Sequence, residues 1–198
     1  AATCAVAFWL LVWHVVSLCV GSELVLVSPV KVVQTLFTVI FDPDFLKTVW
    51  YSAARILGGF FTALTLGTVL GWVASRFWVV ETLLRPITAV IKATPVASFI
   101  ILVLLWFSGK NLSVIISMLM VFPVIYMNVL EGIRSADEKL LEMAQVFRLS
   151  VGKKLLYIYL PAVAPFFVSA CSVSLGLCWK SGIAAEVIGM PDGSIGEQ

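Results

Sequence analysis

The sequence predicts an all-α membrane protein, a polytopic bundle of helices, and three observations carry that prediction. Of 198 residues, 61% are hydrophobic and only 12% charged, against about 25% charged in soluble domains. Mean hydropathy is +1.08, so there is too little polar surface to cover a core in water. Several apolar stretches approach the ~20 residues needed to cross a bilayer. A soluble globule is excluded, and membrane lipid is the first expected partner.

Length and charge narrow the reading. The chain is short enough for a single transmembrane domain over 1–198, with room for about five spans. A net charge of +2 is too mild for a nucleic-acid partner. Cys4, Cys19, Cys171 and Cys178 lie in apolar runs without a C-x-x-C pair and read as small buried hydrophobes.

Taken in order, 1–20 forms the first span and ends at the polar group Gly21, Ser22 and Glu23. Ser28 and Pro29 have the form of a helix start, a capping hydroxyl followed by proline. They open a helix over 29–41 that is too short to span and carries Lys31 and Gln34, so it is expected along the interface. Asp42, Pro43 and Asp44 break it, and a long span follows over 47–77. Spans three and four cover 89–107 and 112–130, with Pro95 and Pro123 expected to kink them against protein. The fifth covers 162–179, and 180–198 forms a segment on the far side. A sixth span is expected after Gln198, the chain being cut before it.

Within the second span, Gly59, Ala63, Gly67, Gly71 and Ser75 recur every four positions. They share one helix face, where missing side chains let another helix approach closely. Between spans four and five lies the one long polar insert, 131–160, with Arg134, Lys139, Arg148, Lys153 and Lys154. This is the densest cationic cluster in the chain, so the positive-inside rule places it in the cytoplasm. Alternation then puts the turn at 76–85 and the N-terminus inside, and the loops holding Lys47 and Lys110 outside.

Enzyme chemistry is missing. His14 stands alone beside Trp13, and no Gly-x-Ser-x-Gly occurs. Gly109-Lys110 and Gly152-Lys153 lack the upstream glycine of a phosphate-cradling loop. No catalytic residue, metal site or cofactor is expected. Lys180 and Glu186 bracket a Gly-interrupted segment and are candidates for lining a translocation path.

The insert itself reads as two helical pieces. Ser135 and Glu138 have capping-box spacing. The helix after them groups Leu140, Ala144 and Phe147 against Glu138, Glu142 and Gln145. Ser150 to Gly152 interrupts, and a second piece ends at Pro161. An amphipathic helix at such a bend needs a groove to dock in.

Here the sequence resembles a known family. Glu142-Met143-Ala144, with Ile158, Leu160 and Pro161 at matching offsets, is similar to the E-A-A loop of ABC importer permeases. Met143 stands at the second alanine and Arg148 at the glycine, so the bend is expected at Ser150–Gly152 instead. Ser28-Pro29, Ser52-Ala-Ala-Arg55, Gly58-Gly59, Gly67, Gly71, Arg85-Pro86 and Leu105-Trp106-Phe107 extend the likeness to the branch importing nitrate, sulfonates, taurine and similar small compounds, with a vitamin precursor also open as the cargo.

The resemblance implies a type I permease of six spans in the bacterial plasma (inner) membrane, without enzyme activity. Its partners would be a cytoplasmic ABC ATPase, a second permease copy as a homodimer and an extracytoplasmic solute-binding protein. It implies a coupling lever over 135–150, with Glu142 and Arg148 as polar contacts and Ala144 and Phe147 as the docking face. Met143, Ser150, Gly152, Leu160 and Pro161 complete that loop. Two other readings stand beside it: the transmembrane component of another ATPase-coupled vitamin importer, and an intramembrane enzyme.

Overall fold

The computed structural model describes residues 2–21, 25–107 and 109–197, and the chain divides into two compact units, Ala1–Val49 and Trp50–Gln198. The first unit holds α1 (Ala2–Val20), α2 (Pro29–Val39) and the start of α3 (Pro43–Arg76). Nearly every described side chain of α1 is exposed, Cys4 and Cys19 among them, so these two are not the buried hydrophobes that their apolar setting suggests. Ser17 is buried, and its hydroxyl donates to the Leu26 carbonyl at 3.0 Å. The expected end of the first span at Ser22 and Glu23 lies outside the described residues. At the head of α2 the Lys31 N–H donates to Ser28 Oγ at 3.4 Å, and Pro29 needs no donor there.

In the second unit α3 continues as one helix of 34 residues, about 50 Å long, well beyond the hydrocarbon thickness. A single extended residue, Phe77, separates it from α4 (Trp78–Ala93). The turn expected over 76–85 is therefore almost wholly helical. Next comes α5 (Val96–Trp106), set at 109° to α4. The straight third span expected over 89–107 is thus a sharply broken pair. Proline explains it: Pro95 lacks a donor and crowds Thr94, which adopts ψ 133° in place of a helical value. After α6 (Leu112–Arg134) comes a polar loop, and then α9 (Leu160–Gly189). Among the described residues, four helices are long and apolar enough to cross a membrane, or five if the bent pair counts as one.

The bundle is organised by glycines. Gly59 lies on Val114 and Ser117, Gly67 on Ile125 and Gly71 on Val129. Each advance along α3 matches an equal advance along α6, so these helices run parallel. A Cβ at Gly67 would sit 3.0 Å from Ile125 Cβ, closer than side chains tolerate. On α9, Gly182 meets Ile56 and Ser117, and Gly189 meets Leu112, so α9 runs antiparallel to both. Gly182 does not interrupt the helix; it lies against both Ile56 of α3 and Ser117 of α6. Ile56, Phe60, Ala63, Val121, Ile125, Val129, Ala170 and Cys178 form the core at this junction.

Candidate functional site

The polar loop builds two surfaces from one short helix. Ser135 closes α6 by donating to the Gly132 carbonyl at 2.8 Å, and Asp137 caps the next helix by accepting the Lys139 N–H at 2.9 Å. The expected Ser135–Glu138 capping box is therefore not formed. Asp137 is the better N-cap because its carboxylate also meets the positive end of the helix dipole. The helix it opens is α7 (Glu138–Val146).

The end of α7 closes sharply. Arg148 N–H donates to the Gln145 carbonyl at 3.0 Å and Leu149 N–H to the Ala144 carbonyl at 2.9 Å, the paired bonds of a Schellman motif. Arg148 takes φ +48°, the left-handed conformation that glycine adopts without cost. The bend thus falls at 147–149, not at Ser150–Gly152. Arginine occupies the glycine geometry because two backbone bonds and the packing of the partly buried Leu149 against the Ala144 cluster hold it there.

From Ser150 the chain climbs through α8 (Val151–Lys154) and a wide π turn, Leu155–Tyr159, straight into α9. The second loop piece, expected to end at Pro161, does not end there. Pro161 has no N–H to give, and the Leu160 N–H reaches back five residues to the Leu155 carbonyl, so the widened turn absorbs the proline. The loop is consequently continuous with the α9 rod.

The inner surface of α7 is a small core of its own. Ala136, Ala144 and Ile158 are buried, with Leu141, Leu149, Tyr159 and Ala162 against them. Ala144, expected on the docking face, is fully buried (0% exposed) and holds α7 to the foot of α9. Leu140 and Phe147, grouped with it by periodicity, point outward instead. The outer surface is apolar and open: Met143 is 44% exposed, Val146 80% and Phe147 71%. Glu142, Gln145 and Arg148 fringe it, all exposed. Val146 was not marked by the periodicity, because a helix flanked by polar residues gives no sign of which apolar stripe its own chain will cover.

The remaining candidates are scattered. Gly152 and Leu160 border an apolar groove of ≈ 400 Å³ with Thr68, Trp72 and Val129, and Pro161 is exposed beside it. A Cβ at Gly152 would meet nothing within 4 Å, so no packing demands glycine there. Near the loop, Arg134 pairs with Glu81 at 2.5 Å, tying α4 to the end of α6. At the opposite end of α9, Glu186 is fully buried, and Ser52 Oγ donates to its Oε2 at 2.6 Å. Lys180 is exposed and forms no ion pair with Glu186 among the described residues. Those residues also contain no cluster of His, Cys, Asp or Glu able to hold a metal. Ser52 carries no sequence signal for its role, since its partner lies 134 positions away.

With this geometry in view, the comparisons with known proteins are specific. Residues 63–198 match the family described as the binding-protein-dependent transport system inner membrane component. The chain is 30% identical over 185 residues to a putative aliphatic sulfonates transport permease of Bacillus subtilis, with 92% of this chain and 67% of that protein covered. It is 27% identical over 182 residues to the taurine transport system permease of Escherichia coli, covering 89% and 66%. To a nitrate import permease of Synechocystis it is 25% identical over 195 residues, covering 93% and 70%. The chain thus spans about two thirds of the length of these relatives.

Proposed function

Given that the chain belongs to the family of binding-protein-dependent transport system inner membrane components, we propose that the outer face of α7 is the handle through which a separate ATPase drives import of a small solute. The protein is a multi-pass permease subunit and not an enzyme; ATP hydrolysis belongs to another chain. The single observation that carries the proposal is the exposed apolar stripe Met143, Val146 and Phe147, fringed by Glu142 and Arg148 on a helix held rigidly from behind.

In this reading the stripe docks in a cytoplasmic groove of the ATPase, which sets the loop and the N-terminus on the cytoplasmic side. Closure of two ATPases on ATP displaces α7. Ala144 and Ile158 transmit the movement to α9, and the bundle passes between inward-facing and outward-facing states. A second copy of the chain completes the path as a homodimer in lipid, and an external solute-binding protein delivers cargo. Relatives named for aliphatic sulfonates, taurine and nitrate support a small solute carrying an acidic group.

The test is a reconstituted complex in vesicles. Glu142→Ala and Arg148→Glu are expected to lower solute uptake at least fivefold while the permease still inserts, with ATPase co-purification read alongside. Wild-type uptake and wild-type ATPase retention in both variants would overturn the assignment of these polar contacts.

A further inference from the structure

Where α9 ends, far from the polar loop, one hydroxyl joins three segments. Ser52 Oγ donates to Glu186 Oε2 at 2.6 Å and accepts the Ile195 N–H at 3.0 Å, so its donor and one acceptor site are both used. This links α3, α9 and the turn that follows α9. The turn is built to fold back. Met190 takes φ +40°, and its N–H donates to the Glu186 carbonyl at 2.7 Å. Gly193 takes φ +75°, with its N–H on Glu197 Oε2. Gly196 rests directly on the Glu186 backbone, leaving no room for a Cβ.

The contact is sealed but incompletely satisfied. Ser52, Glu186, Ser194 and Ser113 are all 0% exposed. Glu186 Oε1, Ser194 Oγ and Ser113 Oγ are buried with no hydrogen-bond partner. Ser113 belongs to the same level of the bundle, because Gly189 meets Leu112 and Gly182 meets Ser117 on the antiparallel α6. No cation among the described residues pairs with Glu186. Buried oxygens without partners raise the free energy of the state that holds them, relative to one in which water reaches them.

We propose that Ser52 and Glu186 are positioning residues of the transport cycle, forming a releasable clasp that holds the turn over 190–197 against the end of the bundle. Closed in the conformation seen here, the clasp opens when movement of α7 is carried along α9. Water then reaches the three oxygens, and that end of the path is uncovered. This inference rests on the importer reading.

The experiment uses the full-length permease assembled with its ATPase in vesicles and supplied with its solute-binding protein, with Cys4, Cys19, Cys171 and Cys178 replaced by alanine and Ser194→Cys introduced as a reporter. Labelling by a membrane-impermeant maleimide is expected to be slow without nucleotide and at least tenfold faster when the complex is trapped with ATP and vanadate. Ser52→Ala should label fast in both conditions, cutting uptake at least fivefold while the ATPase stays bound and active. Ser52→Thr, which keeps the hydroxyl, should restore slow labelling and uptake. Glu186→Gln, which keeps an acceptor for Ser52, should label slowly at rest, so the proposal stays testable even if Ser52→Ala does not fold. Equal labelling with and without trapping, or fast resting labelling of Glu186→Gln, would overturn the clasp. If the parent complex takes up no solute while Ser194→Cys stays protected at rest, the importer reading fails instead.

Discussion

Along α3, Gly59, Ala63, Gly67 and Gly71 offer almost no side chain and are covered to contact distance by α6. Met143, Val146 and Phe147 on α7 offer large apolar side chains and stay open. The first surface has its partner in the same chain, so backbone can approach backbone and the gain is close packing. For the second, packing from behind is done by Ala144, the one small residue of that helix, while the bulky side chains turn away. Small residues on α3 thus mark an interface completed on folding, and under the proposed function the large exposed ones on α7 mark an interface completed by assembly.

This contrast is breakable, most severely on α3. Gly67→Leu would drive a side chain into Ile125 and the Tyr126 backbone, and we expect it to cost about 3 kcal/mol or more, read as a collapse of thermal stability in detergent. Wild-type stability would mean that the α3–α6 seam is not the close contact described. On α7 the expected pattern is reversed. Phe147→Asp should leave stability within about 0.5 kcal/mol yet reduce ATPase co-purification at least tenfold. A loss of stability with the ATPase still bound would place Phe147 in the fold and not in the interface. The smallest effect sharpens the picture of the turn between the two surfaces of the loop. Arg148→Gly should stabilise the protein by roughly 1 kcal/mol, because glycine adopts a positive φ without steric strain. Thermal unfolding checks it; a decrease would show that the guanidinium contributes more to this state than its backbone costs.

Much of this was legible beforehand, and the misreadings share a cause. The helices over 29–39 and 112–134 follow from local signals, Ser28 with Pro29 in one case and an apolar run in the other. Pro95 is equally visible, but whether a proline kinks a helix or breaks it depends on what the second half packs against. Here Ile100 and Val103 of α5 are drawn into a core with Ile116 and Met120 of α6, and the two halves part at 109°. At Arg148 the residue type argued against a left-handed turn. The turn forms where Leu149 packs against Ala144 and Ile158 and two backbone hydrogen bonds close the helix end.

Hydropathy and spacing alone determined that this chain is a helical membrane protein, that α3 carries a small-residue face, and that a long polar loop precedes α9. Each of these depends on residues a few positions apart, where helix geometry dictates which side chains are neighbours. Only the tertiary structure decided which stripe of α7 is left open, that Pro161 is absorbed into a continuous rod, and that Ser52 meets Glu186. Those outcomes depend on segments more than a hundred residues apart in the case of the clasp, and no local periodicity records which faces will meet once the bundle has closed.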